Sequence, residues 1–144
     1  MKGQAKSETA ALAESMVSFV RAFGLHRPEE TPCGEAIPVA EAHALMDLAS
    51  GPISHGELAI RLRLEKSTVT RLVQQLQKRR WVERYGSQRD GRVKFIRLTA
   101  KGRAAWRRLE RARHAKFERL MSAIPVGQRA TVIKTLGLLR DAMG

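Results

Sequence analysis

The stretch Ile53-Ser-His-Gly-Glu-Leu-Ala-Ile-Arg-Leu-Arg-Leu-Glu-Lys-Ser-Thr-Val-Thr-Arg-Leu-Val-Gln-Gln-Leu-Gln-Lys-Arg79 decides the reading of this 144-residue chain. Ser54 and Glu57 stand in the S-x-x-E arrangement of a capping box, and Ile53 and Leu58 occupy the two positions of a hydrophobic staple, so a helix start is well marked here. Leu58, Ala59 and Leu62 give that helix one apolar stripe, ending near Arg63. After a turn at Leu64 and Glu65, a second helix is predicted from about Lys66 to Arg79. Its Val69, Leu72, Val73 and Leu76 repeat at i, i+3, i+4 and i+7 as the buried stripe. A short capped helix, a tight turn and a second helix with a polar outer face are the elements of a helix-turn-helix, whose second helix lies in a DNA major groove.

Upstream, Leu12, Met16, Phe19, Val20 and Phe23 repeat at helical spacing within a helix predicted over about Ser7 to Leu25, and Gly24 and Pro28 end it. A polar loop leads to a helix from about Val39 to Ala49, stopped by Ser50-Gly51-Pro52. Downstream, Trp81–Tyr85 and Val93–Leu98 are rich in aromatic and branched residues and flank Gly86-Ser-Gln-Arg-Asp-Gly91, which predicts a β-hairpin with a charged tip. Thr99 caps a long helix, about Lys101 to Ala123. Pro125 breaks it, and a last helix is expected from Gly127 to Met143. The fold class is therefore mainly α with a small β-hairpin wing: a winged helix-turn-helix between N- and C-terminal helices.

Charge points the same way. The chain carries 27 Lys+Arg against 14 Asp+Glu, a net of +13. Residues 1–60 hold 4 basic and 8 acidic side chains, whereas residues 61–119 hold 20 basic and 5 acidic ones. The excess thus falls on the second helix of the motif, the hairpin and the helix after it, and such a patch calls for a polyanion. No apolar run approaches the ~20 residues of a membrane span. No secretory signal is visible in Met1–Ala13, and the single Cys33 fits a reducing compartment, so the cytoplasm is the expected location.

On the second helix, Ser67, Thr68, Thr70 and Arg71 occupy the first exposed turn and a half, with Gln74 and Gln75 one turn further. Short hydroxyls allow close approach to the groove floor, Arg reads guanine O6/N7 with two donors, and Gln suits adenine. The plainer alternative is a solvated polar face. At the hairpin, Arg89, Arg92 and Lys94 surround the tip, where an Arg-bearing ribbon suits a narrow minor groove, and Asp90 is placed to hold Arg92 extended. Ser54, Lys66 and Arg84 are candidate phosphate contacts. The bland reading of the tip is turn chemistry supplied by Asp90-Gly91.

These residues resemble the MarR family of winged helix-turn-helix regulators. The resemblance runs through Gly56-Glu-Leu-Ala-Ile-Arg-Leu-Arg-Leu-Glu-Lys-Ser-Thr-Val-Thr-Arg-Leu-Val73, Leu76, Trp81-Val-Glu-Arg84, Asp90-Gly-Arg92 and Ile96-Arg-Leu-Thr-Ala-Lys-Gly102. It implies a homodimer built from the first, fifth and sixth helices, binding a pseudo-palindromic operator in double-stranded DNA. It also implies that Ser67, Thr68, Thr70 and Arg71 face the major groove while Arg92, steered by Asp90, enters the minor groove. The chain then divides into a dimerisation helix and loop (1–37), a DNA-binding lobe (38–99) and C-terminal dimerisation helices (100–144). Two departures stand out: Glu65 where the family more often has Asp or Ser as a cap, and Arg79-Arg80 in place of an Arg-Gly turn.

Regulators of this kind usually answer to a signal, and the default expectation is a small molecule, aromatic or anionic, in the crevice between the dimerisation helices and the lobe, with constitutive DNA binding without any ligand as the alternative. Cys33 is a redox candidate, although Glu29, Glu30 and Glu35 disfavour its thiolate. Cys33, Glu41, His43, Glu110 and His114 form a candidate metal set, without the tight spacing of a zinc motif. No cofactor is expected, and no nucleophile–base set or phosphate-cradling loop suggests an enzyme. The rival class is a basic nucleoid-type protein that binds nucleic acid without regard to sequence.

Overall fold

The computed structural model describes residues 2–86, 89 and 91–144. Its elements run α1 (Lys2–Phe23), α2 (Val39–Leu48), β1 (Ile53–Ser54), α3 (His55–Leu62), α4 (Lys66–Lys78), β2 (Val82–Gly86), β3 (Lys94–Leu98), α5 (Ala100–Ala123), a 3-10 turn at Val126–Gln128 and α6 (Arg129–Ala142). This is the expected mainly helical chain with a hairpin wing. The sheet is antiparallel in the order β1-β3-β2, with Ile53 opposite Ile96 and Val82 opposite Leu98.

The strand β1 is an addition to what the sequence predicts, in which Ile53 and Ser54 form the entry to α3. Both roles hold. Ile53 is buried beside Leu58 in the core, while Ser54 pairs with Phe95 and its Oγ accepts the Glu57 N–H at 3.2 Å. The capping box is only half made, because the Glu57 carboxylate accepts from Arg61 Nε at 3.1 Å one turn along α3. Arg63 closes α3 in the left-handed conformation, φ 54° and ψ 42°, with its N–H directed at the Ala59 and Ile60 carbonyls. A β-carbon is unusual there, since this C-cap conformation favours Gly. Glu65 opens α4 without a side-chain cap, in keeping with its choice of residue.

One hydrophobic core joins these elements. Leu45 of α2, Leu58 of α3, Val69, Val73 and Leu76 of α4 and Ile96 of β3 are wholly buried, and Ala105 and Leu109 bring α5 into the same cluster. The start of α5 is set with little tolerance. Thr99 Oγ1 donates to the Arg80 carbonyl at 2.6 Å and accepts the Gly102 N–H at 3.0 Å, and the Thr99 N–H reaches the Trp81 carbonyl at 2.9 Å. A Cβ on Gly102 would lie 1.9 Å from that Trp81 oxygen, so the Leu-Thr-x-x-Gly pattern is a close approach of helix backbone to the backbone that leads into β2.

The outer helices are different. α1 meets the rest of the chain near its end, where Phe23 sits 5.9 Å from Phe117 of α5 and stacks on Phe19 at 5.6 Å. Leu12, Val17 and Phe19 of α1, Leu120 of α5 and Val132, Ile133, Leu136 and Leu138 of α6 are exposed, and no residue of α6 is buried. None of the described helices is long and apolar enough to cross a membrane.

Candidate nucleic-acid interface

The polar face of α4 exists because Val69, Leu72, Val73 and Leu76 bury the opposite side. Ser67, Thr68, Arg71, Gln74 and Gln75 are all exposed on it. Lys78, also exposed, continues the row from Ser67 through Arg71 and Gln74. The spacing i, i+4, i+7, i+11 was enough to add it to the candidate face.

Thr70 sits at the edge of this face rather than in it. It is half-buried, its hydroxyl donates to the Lys66 carbonyl at 2.9 Å, and its Oγ1 lies 3.2 Å from His55 Nε2. Ser54 has its oxygen committed to the cap of α3, whereas Lys66 and Arg84 are exposed. Arg84 stands opposite Ile96, itself opposite Ile53, so it extends the sheet face that covers the core toward the start of α3. His55 is shifted below its ordinary histidine value by burial first, then by the positive charges of Arg84 and Lys66. The sequence reading passed over His55 as a first-turn residue; no local signal ties it to Thr70, fifteen positions on.

In the wing, Arg89, Arg92 and Lys94 are exposed at and beside the tip. Asp90, and with it the steering of Arg92, lies outside the described residues. The hairpin's outer face is braced: Arg97 Nε meets Glu83 Oε1 at 2.6 Å and lies 4.5 Å over the Tyr85 ring, which stacks on Phe95 at 5.7 Å. These contacts stiffen the ribbon that carries the tip.

A pair that the sequence pattern does not reveal joins α4 to α2. The Glu41 carboxylate, 6% exposed, accepts from Arg79 Nε at 3.0 Å and from Nη2 at 3.5 Å, and the same guanidinium lies 4.8 Å from the Trp81 ring. Arg79 caps the C-terminus of α4, so α2 holds the far end of the exposed face.

Of the candidate metal set, Glu41 is thus held by Arg79. His114 Nε2 lies 3.1 Å from Glu118 on the exposed side of α5, and among the described residues no three His, Cys, Asp or Glu side chains converge. Cys33 instead has its Sγ 3.0 Å from Thr31 Oγ1 and borders a cavity of about 210 Å³. Phe23, Met46, Trp106, Leu109 and Phe117 supply apolar walls, with His43, Arg113 and Lys116 as polar members. Lys116 Nζ also donates to the Pro32 carbonyl. The sequence placed a crevice here but could not name its lining, which is drawn from positions nearly a hundred residues apart.

Comparison with known proteins adds the family. The model of the MarR family matches residues 37–93, the helix-turn-helix and most of the wing. The exopolysaccharide II synthesis transcriptional activator ExpG of Rhizobium meliloti is 36% identical over 113 residues, which are 77% of this chain and 58% of that protein. The chain thus spans little more than half the length of that curated relative. Among solved structures, Streptococcus pneumoniae FabT in complex with DNA superposes with a TM-score of 0.69 at 23% identity, covering 97% of this chain and 96% of that one. The zinc-responsive MarR family member ZitR of Lactococcus lactis gives 0.69 at 16% identity, covering 94% and 99%. At such identities the structures speak for the fold. Across its helix-turn-helix the chain thus matches the model of the MarR family, on a fold that it shares with a solved member of that family.

Proposed function

We propose that this protein is a cytoplasmic regulator that binds a pseudo-palindromic site in double-stranded DNA as a homodimer. The observation that carries the proposal is the exposed row Ser67, Arg71, Gln74 and Lys78 on α4 beside an arginine-bearing wing. Ser67, Thr68, Arg71, Gln74 and Gln75 would meet base edges, Arg92 the minor groove, and Lys66 and Arg84 the phosphates. The apolar residues left exposed on α1, α5 and α6 support pairing of two chains, which would set two recognition helices roughly one DNA turn, about 34 Å, apart.

The cavity beside Cys33 suits the signal. Apolar walls with Arg113 and Lys116 at hand fit a small molecule bearing an aromatic or aliphatic body and an anionic group. His43 and Met46 of α2 line it two and five positions from Glu41, so an occupant would bear on the element that holds the end of α4. Occlusion of a promoter by such a dimer gives repression. The activator ExpG favours a second reading in which the same binding recruits transcription, and moving the site relative to a promoter in a reporter separates the two signs.

Selection of bound duplexes from a random pool tests the central claim. A palindromic consensus bound about 10³-fold or more tighter than random DNA is the expected result. Equal affinity for all sequences would replace the regulator with a nucleoid-type protein.

A further inference from the structure

Beyond the groove-facing row lies a cluster that the sequence motifs did not absorb. His55, the first residue of α3, shares a hydrogen bond with Thr70 of α4, and its electrostatic neighbours are Lys66 of α4 and Arg84 of β2. Three elements therefore bring two permanent cations and a titratable ring to the flank of the recognition helix. This flank is where the first helix of a helix-turn-helix crosses the DNA backbone.

The hydrogen bonds assign the ring's tautomer. A threonine hydroxyl has one proton, and that of Thr70 is given to the Lys66 carbonyl, which can only accept. Thr70 Oγ1 must then accept from His55, so Nε2 carries the hydrogen. Nδ1 is left as the basic nitrogen, with no partner among the described residues. Proton uptake at Nδ1 keeps the Nε2–H···Oγ1 bond, so the ring gains charge without turning.

Among the described residues no carboxylate, Glu65 at the start of α4 included, acts on that ring. Glu57, the acid on the same helix, is paired with Arg61. β1 carries no charged residue, while on β3 Arg97 is taken by Glu83 and Lys94 stands opposite Gly86 near the tip. On α2, Glu41 is taken by Arg79, His43 lines the cavity, and Asp47 does not figure among the groups that act on the ring. Burial first, and then the charges of Arg84 and Lys66, oppose protonation in the free protein, and a DNA phosphate would remove the charge part of that opposition by neutralising both cations.

We propose that His55, Lys66 and Arg84 form one phosphodiester site, oriented by Thr70, in which His55 Nδ1 takes up a proton as the duplex binds. Affinity for DNA then rises as the pH falls toward 6, independently of base sequence. The proposal rests on the DNA-binding reading above.

Anisotropy with a labelled random-sequence duplex, at fixed ionic strength, tests it across about pH 8 to about pH 6. Wild-type affinity is expected to rise about three- to tenfold, a tenfold gain being the most that a one-unit rise of the ring's pKa on binding can give. His55→Gln keeps a donor for Thr70 but no titratable nitrogen, and should lose that rise while His26, His43 and His114 remain. In the wild type, the His55 ring resonance should titrate at higher pH with duplex than without. Equal pH slopes in the two proteins, or a ring titration that the duplex leaves unmoved, would overturn the proposal. Absence of duplex binding by either protein at every pH would overturn the DNA-binding reading together with it.

Discussion

The lobe from α2 to β3 and the helices that flank it solve the burial problem in opposite ways. In the lobe, leucines, valines and isoleucines from three helices and the sheet are wholly buried, and the start of α5 closes the same core. α6 buries nothing, and Ile133, Leu136 and Leu138 stand 61%, 49% and 65% exposed. Apolar area on this scale, spread over α1, the end of α5 and α6, marks a surface made to meet another. The lobe is specified by its own chain, whereas the outer helices leave apolar area that the proposed pairing of two chains would bury.

The largest test of this contrast is to break the proposed pairing alone. Ile133→Asp with Leu136→Asp should give monomers by light scattering and reduce binding to the selected palindrome by more than about a hundredfold, because a single half-site remains. Circular dichroism of the lobe should be preserved. A variant that stays dimeric would move the interface away from α6.

Breaking the lobe comes next. Gly102→Ala drives a methyl group into the Trp81 carbonyl, and denaturant unfolding should show a loss of about 2–3 kcal/mol. An unchanged midpoint would mean that α5 slides freely on β2.

The groove-facing row is expected to be worth less than either and to differ in kind. Arg71→Ala should cost about 1–3 kcal/mol on the selected site and little on random DNA, whereas Arg107→Ala should weaken all sequences alike. Parallel losses on both duplexes would return Arg71 to a phosphate contact.

The smallest effect is a gain. Arg80 holds φ 61°, a left-handed conformation in which a β-carbon costs about 1–2 kcal/mol. Arg80→Gly relieves that strain while adding freedom to the unfolded chain, so a net stabilisation of about 0.5–1 kcal/mol is expected from thermal unfolding. The Thr99 hydroxyl on the Arg80 carbonyl remains in the variant.

Local chemistry explains how much could be read in advance. The stripes of α3 and α4, the Ser54 cap and the hairpin all depend on residues a few positions apart, and each came out within a residue or two of its expected place. The two-residue strand β1 did not, since its pairing partners Phe95 and Ile96 lie some forty positions away and two residues carry no period. Lys78 follows from helical spacing alone, one turn beyond Gln74. The inward turn of Thr70 was not readable, because the same hydroxyl at the same helical angle serves a groove or a neighbour depending on what stands beside it. Glu41 shows the point from the other side: a carboxylate that suited a metal set in one dimension is held by Arg79, thirty-eight residues on, in three.

The sequence by itself determined the helix-turn-helix, the wing and the basic surface, because helix and strand periodicity, capping and net charge are properties of neighbouring residues. Only the tertiary structure decided which side chains of that surface remain available and how they are joined: His55 to Thr70, Glu41 to Arg79, and Phe23, Cys33, Trp106 and Phe117 around one cavity. Those contacts are set by how packed elements cross, and a chain's local pattern does not record its distance to a partner many turns away.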